Sequence, residues 1–143
     1  MALFLLNVEW WFVEPFSWNQ MLAWLLLVIS AFLVVHGVHM LRIAGKPGDE
    51  RVETPLFGIE KTTALVTSGA YHYIRHPLYS SLLFLGVGFF FKNPSWLGAS
   101  LLSATIFFLV LTARVEEAEN CRFFGAAYRE YMKRTKMFVP FLF

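Results

Sequence analysis

WNQMLAWLLLVISAFLVVHGVHMLRI, residues 18–43, is the stretch that decides the fold. Only Asn19, Gln20, His36, His39 and Arg42 interrupt its apolar character. About 26 residues at a helical rise of ~1.5 Å reach ~39 Å, enough to cross a ~30 Å hydrocarbon core with some tilt. Trp18 and Trp24 sit near one end and Arg42 and Lys46 near the other, the usual placement of interface anchors.

Outward from this stretch, the second apolar block runs from Leu78 to Phe91 and breaks at Lys92-Asn-Pro-Ser95. Pro94 disfavours helical continuation there. A third block runs from Trp96 to about Ala113. Two helices joined by so short a loop are antiparallel neighbours, so residues 78–113 form a hairpin. Its first arm, about 14 residues or ~21 Å of helix, is short for a crossing, which draws Arg75 and His76 to the membrane boundary. Residues 2–16 are apolar and aromatic but carry Asn7, Glu9 and Glu14, and read as an interfacial segment or partial helix. Thr112 to Lys133 reads as one helix continuing out of the membrane, residues 45–60 as a surface loop, and 137–143 as an apolar tail returning to the hairpin or the lipid interface.

Composition agrees. Of 143 residues 57% are hydrophobic and 15% charged, against about 45–50% and about 25% in soluble domains. That excludes disorder and an ordinary soluble globule, and a single Cys excludes a disulfide scaffold. A net charge of +2 does not point to nucleic acid. The beginning of the chain has neither a basic region nor a small-residue cleavage site and does not read as a signal peptide. The expected fold is all-α: an integral membrane helical protein, one domain over residues 1–143, with about three transmembrane helices (one long helix plus a hairpin), an interfacial N-terminal segment and a cytoplasmic C-terminal helix.

Basic residues orient it. Arg42, Lys46, Arg51, Lys61 and Arg75 lie between the first two spans, and Arg114, Arg122, Arg129, Lys133, Arg134 and Lys136 follow the third. Lys92 alone lies on the opposite side. The positive-inside rule puts the 44–76 loop and the C-terminus in the cytoplasm and the N-terminus outside.

Two segments on that cytoplasmic side carry candidate chemistry: Leu65-Val-Thr-Ser-Gly-Ala-Tyr-His-Tyr-Ile-Arg-His-Pro-Leu-Tyr79, and Arg114-Val-Glu-Glu-Ala-Glu119 followed by Phe124-Gly125 and Tyr128. The hairpin brings Arg75, His76 and Tyr79 near Glu116 and Glu117. Such a group suits a polar cofactor. Pro77 fits the first position of a helix, whose N-terminus offers amides and positive dipole to a carboxylate. A glutamate could bind an ammonium, a sulfonium or a ribose diol, and Gly69 admits close backbone approach to a ligand. Plainer readings stand beside these. Arg114 serves as a topology signal, Arg75 and Glu116 as a structural ion pair, and Tyr73 and Tyr131 as interface anchors. His36 and His39, one turn apart, pack against the hairpin, contact substrate, or ligate a metal or haem with His72 and His76.

Gly69-x-Tyr71-x-x-x-Arg75-His76-Pro77-x-Tyr79, a hydrophobic hairpin, Glu116-Glu117 and Phe124-Gly125-x-x-Tyr128-x-x-Tyr131 together resemble the isoprenylcysteine carboxyl methyltransferase family and the related phospholipid methyltransferases. The resemblance covers about residues 60–143. Ser81 stands where the family often has Gly, and Ala70 where it often has Pro. The resemblance implies an integral membrane methyltransferase using S-adenosylmethionine and releasing S-adenosylhomocysteine. It implies a cofactor pocket lined by Leu65, Val66, Gly69, Tyr71, Arg75, His76, Pro77 and Tyr79 and completed by Glu116 and Glu117, with no metal. Methyl transfer needs positioning and exclusion of water. Arg75 or Arg129 would orient a carboxylate acceptor, whereas a thiol or amine would lose its proton to His72 or a glutamate such as Glu116. The expected acceptor is a lipophilic small molecule or lipid: an isoprenylcysteine-like carboxylate, a small thiol or amine, or a phospholipid head group. The compact chain resembles the prokaryotic branch, which implies an inner membrane. The alternatives are a non-enzymatic membrane assembly subunit or a haem- or metal-binding subunit. Three spans enclose little, which leaves a homodimer open. Replacing Arg75 or Glu116 is expected to abolish cofactor binding, and replacing Lys92 to change little.

Overall fold

The computed structural model describes residues 1–45 and 64–142. The loop expected over 45–60 lies outside the described residues apart from Gly45, as do Lys46, Arg51 and Lys61. The described elements are helical: α1 (Ala2–Leu6), a 3-10 turn (Val8–Trp10), α2 (Trp18–Ala44), a second 3-10 turn (Gly69–His72), α3 (Pro77–Lys92), α4 (Trp96–Phe124) and α5 (Ala126–Arg134).

Helices α2 and α4 are long and apolar enough to cross a membrane, and α3 is a shorter apolar helix whose 16 residues make ~24 Å. This is an all-α membrane protein. Ser95 starts α4, its Oγ accepting the Gly98 amide at 3.0 Å, so the Asn93–Ser95 turn reverses the chain as the sequence predicts. Helix α2 turns Ala23, Ser30 and Gly37 inward, small residues seven apart on one face. They let α3 approach closely. Ser30 Oγ donates to the Ser81 carbonyl at 2.7 Å, and a Cβ on Gly88 would stand 3.3 Å from the Ala23 carbonyl oxygen.

One expectation changes, and two features gain detail. The single helix from Thr112 to Lys133 is two, because Gly125 adopts φ 60°, ψ −127° between α4 and α5, a conformation costly to any residue with a Cβ. The chain before α2 is folded onto the bundle: Phe4 meets Phe89 at 5.5 Å and Trp11 at 5.4 Å, and Asn7 is fully buried. Lys92, the basic residue on the side opposite the other cations, is only 3% exposed. Its Nζ donates to Gln20 Oε1 at 2.8 Å and lies 3.7 Å from the Trp24 ring centre and 5.4 Å from that of Trp11.

The apolar tail does return to the hairpin. Met137 and Phe138 pack with Tyr79 and Ala113 in one core cluster, while Phe141 and Leu142 are exposed. Thr135 ends α5 in extended conformation, and Lys136 forms a parallel bridge with Ile74, so the tail lies beside the segment that leads into α3.

Candidate active site at the start of α3

Four ionisable side chains converge where α3 begins. His76 is the residue before the first turn of α3, with Pro77 at the first helical position, as the missing amide of proline allows. On α4, Ala113, Glu116 and Glu117 are buried while Arg114, Val115 and Ala118 are exposed. The i, i+3, i+4 spacing thus places both carboxylates on the face turned to α3.

Arg75 Nε contacts Glu117 Oε1 at 2.5 Å, each side chain 10% exposed. The guanidinium also donates through Nη1 to the carbonyls of Thr135 and, at 3.4 Å, Met132. His76 Nδ1 lies 3.2 Å from Glu116 Oε2, and its Nε2 3.5 Å from Glu117 Oε1. The second approach is an ion-pair contact without a directed hydrogen bond, since His76 Nε2 is buried with no hydrogen-bond partner. Glu117 therefore serves two cations. The structural pairing expected between Arg75 and Glu116 falls to Glu117, because adjacent positions on a helix diverge by ~100° and only one points at the guanidinium.

Burial disfavours a charged His76, yet its contact with Glu116 and the Coulomb attraction of Glu116 and Glu117 outweigh it and hold its pKa above the ordinary 6.5. The phenols of Tyr128 and Tyr131, buried on one face of α5, are both pushed above the usual tyrosine range, chiefly by burial. At Tyr128 a hydrogen bond with Asn120 pulls the other way and the charge of Glu117 adds to burial. Both stay protonated near neutral pH.

The other predicted residues divide. Tyr79 is 3% exposed, its ring 5.5 Å from that of His76, and Pro77 is fully buried. Tyr71 and Val66 belong to a core cluster with Leu41 of α2, while Leu65 is half-buried. Gly69 has φ 61°, and the space over it is taken by α2: a Cβ there would stand 2.5 Å from His36 Nε2 and 3.0 Å from Met40 Sδ. The close approach that this glycine permits is to a helix of the same chain. His36 thereby packs on the turn, its ring stacked on Phe32 at 5.4 Å, while His39 is exposed. His72 is exposed too, its ring edge-on to Tyr73 at 4.9 Å. It is not drawn into the buried group. Arg114 and Arg129 are exposed. Among the described residues no three His, Cys, Asp or Glu side chains are grouped to hold a metal.

Tyr73, 53% exposed, suits an interface anchor, but Tyr131, 4% exposed, does not. Its hydroxyl donates to the Tyr71 carbonyl at 2.5 Å. Reading the sequence also passed over Asn120 and the carbonyls of Met132 and Thr135. Asn120 continues the Ala113–Glu116–Glu117 face by one turn, a findable signal, whereas a backbone carbonyl has no residue-type signature.

A phospholipid methyltransferase family profile matches residues 18–127. Similar curated proteins include a methanethiol S-methyltransferase of Crocosphaera subtropica, 27% identical over 85% of this chain and 44% of that protein. A protein of the same name from Pseudomonas deceptionensis is 30% identical over 85% of this chain and 43% of its own. The protein-S-isoprenylcysteine O-methyltransferase of Xenopus laevis is 37% identical over 54% of this chain and 27% of its own. The chain thus spans less than half the length of these relatives. No solved structure matches it.

Proposed function

Because this chain belongs to the phospholipid methyltransferase family, we propose that residues 1–143 act as one membrane domain transferring a methyl group from S-adenosylmethionine to a lipophilic acceptor. The observation that carries this is the buried group at the start of α3, His76 between Glu116 and Glu117 with Arg75 beside it. The donor set fits the cofactor. Two carboxylates suit a sulfonium and an ammonium, Arg75 and the start of α3 suit a carboxylate, and the buried His76 Nε2 lacks a hydrogen-bond partner. When bound, S-adenosylmethionine supplies an electrophilic methyl carbon, and S-adenosylhomocysteine leaves.

The chain's own contribution is positional. Glu116 and Glu117, held by His76 and Arg75, present fixed negative charge without reorganising. Tyr79, Met137 and Phe138 pack an apolar cluster beside them that keeps water out. A lipophilic acceptor reaches this end sideways from lipid, while the polar donor arrives from the aqueous side, which the positive-inside rule makes the cytoplasm. Membership of acceptor class follows the relatives' names: a thiol first, since those relatives cover more of this chain, then a carboxylate. A thiol must lose its proton, and Glu116 is the base favoured over the exposed His72.

Calorimetric titration of the detergent-purified protein with S-adenosylhomocysteine tests this. Saturable binding by the wild type, lost in Arg75→Ala and in the near-isosteric Glu116→Gln with both variants still folded, is the expected result. No binding by a folded, monodisperse wild type overturns the proposal and turns attention to a non-enzymatic assembly role.

A further inference from the structure

The segment Tyr71–His76 is held largely from outside itself. Tyr131 Oη donates to the Tyr71 carbonyl at 2.5 Å. The Lys136 amide donates to the Tyr73 carbonyl at 3.0 Å, the Arg75 amide to the Lys136 carbonyl at 2.8 Å, and the His76 amide to the Met137 carbonyl at 3.2 Å. Ser80 Oγ, fully buried on α3, donates to the Phe138 carbonyl at 2.7 Å. Residues 131–138 therefore strap down the two residues that face Glu116 and Glu117. Those carboxylates ride on α4, and Ala113 of α4 packs on Met137 and Phe138 of the same strap. The register of Arg75 and His76 against them consequently depends on the strap. Three of the strap's hydrogen bonds run main chain to main chain and do not depend on side-chain identity. Tyr131 is the side chain of α5 whose hydroxyl reaches the Gly69–His72 turn, and Thr135 Oγ1 donates back to the Tyr131 carbonyl at 2.7 Å, tying the end of α5 to the strap.

We propose that Tyr131 is a positioning residue: through its hydrogen bond to Tyr71 it fixes the turn that leads to Arg75 and His76, and so sets affinity for the methyl donor. This rests on the methyltransferase reading above. The phenol touches no reacting atom. Its effect belongs in donor affinity and not in the chemical step.

The test compares wild type and Tyr131→Phe, both titrated with S-adenosylhomocysteine, with deuterium exchange of the 71–76 segment measured in parallel. Tyr131→Phe keeps the ring and loses one buried hydrogen bond, so Kd should weaken about fivefold to tenfold at unchanged stoichiometry. Exchange in 71–76 should quicken while 18–44 stays protected. A purely structural role would lower the binding-competent fraction and leave Kd alone. If the wild type binds and Tyr131→Phe has the same Kd, or loses stoichiometry only, this inference falls and the methyltransferase reading stands. If the wild type takes no S-adenosylhomocysteine, that reading falls first and this one with it.

Discussion

His76 is 5% exposed and still favours the proton. Burial alone would make it neutral, and two carboxylates within 3.5 Å reverse the balance. Its folded pKa stands above 6.5, so its stabilisation is complete below about pH 6.5 and is lost as pH rises through the higher folded value. His76→Gln should accordingly be most destabilised relative to wild type near pH 6, with the gap in thermal midpoint shrinking toward pH 9. Midpoints in detergent across that range check it, and a gap independent of pH would mean that His76 is neutral in the fold. The convergence of residues around His76 was readable, since Arg-His-Pro before the hairpin and Glu-Glu after it meet at one end of the hairpin. Which carboxylate meets which cation was not, because that depends on ~100° of helix rotation that no residue type encodes.

Two glycines with positive φ separate steric from conformational effects at the scale of elements. Gly69 sits where the 3-10 turn presses on α2, and a Cβ would strike His36. Gly125, between α4 and α5, has nothing within 4 Å of its would-be Cβ. Gly125→Ala should therefore cost only backbone strain, about 1–3 kcal/mol. Gly69→Ala should cost that plus the displacement of His36. In a double-mutant cycle, His36→Ala should recover part of the Gly69→Ala loss and none of the Gly125→Ala loss. Denaturation of the wild type with the three single and two double variants measures both couplings, and equal recovery in the two would remove the contact as the cause. His36 thus has a physical role as a wall behind the turn. Its intramembrane position drew attention in the sequence, but its contact could not be read there.

Across the whole molecule, two buried polar groups lie at opposite ends of α3. One is the Arg75–His76–Glu116–Glu117 group. The other is Lys92 with Gln20, Trp11 and Trp24, which pins the chain before α2 to the hairpin, since Gln20 Nε2 also donates to the Trp10 carbonyl at 3.0 Å and to that of Lys92 at 3.1 Å. Lys92→Ala should cost about 2 kcal/mol, from the lost cation–π contact and the stranded Gln20 oxygen. The surviving folded protein should bind S-adenosylhomocysteine with unchanged Kd, because α3 separates the two groups by ~24 Å. Thermal unfolding and calorimetry on one preparation check both parts, and a weakened Kd would mean that the two ends are coupled.

What the sequence by itself determined follows from signals that need no neighbour. Apolar length made residues 18–43 a spanning helix, Asn93-Pro94-Ser95 forced the hairpin, and the order of the motifs put Arg75, His76, Glu116 and Glu117 at one end. Only the tertiary structure decided that Glu117, and not Glu116, takes Arg75, that Tyr131 and Lys92 turn inward, and that residues 131–138 strap the site. The reason is physical. Hydrophobicity and turn chemistry are summed along the chain, whereas pairing depends on which way each helix face is rotated. It depends equally on main-chain carbonyls, such as those of Thr135 and Met137, that are alike in every residue.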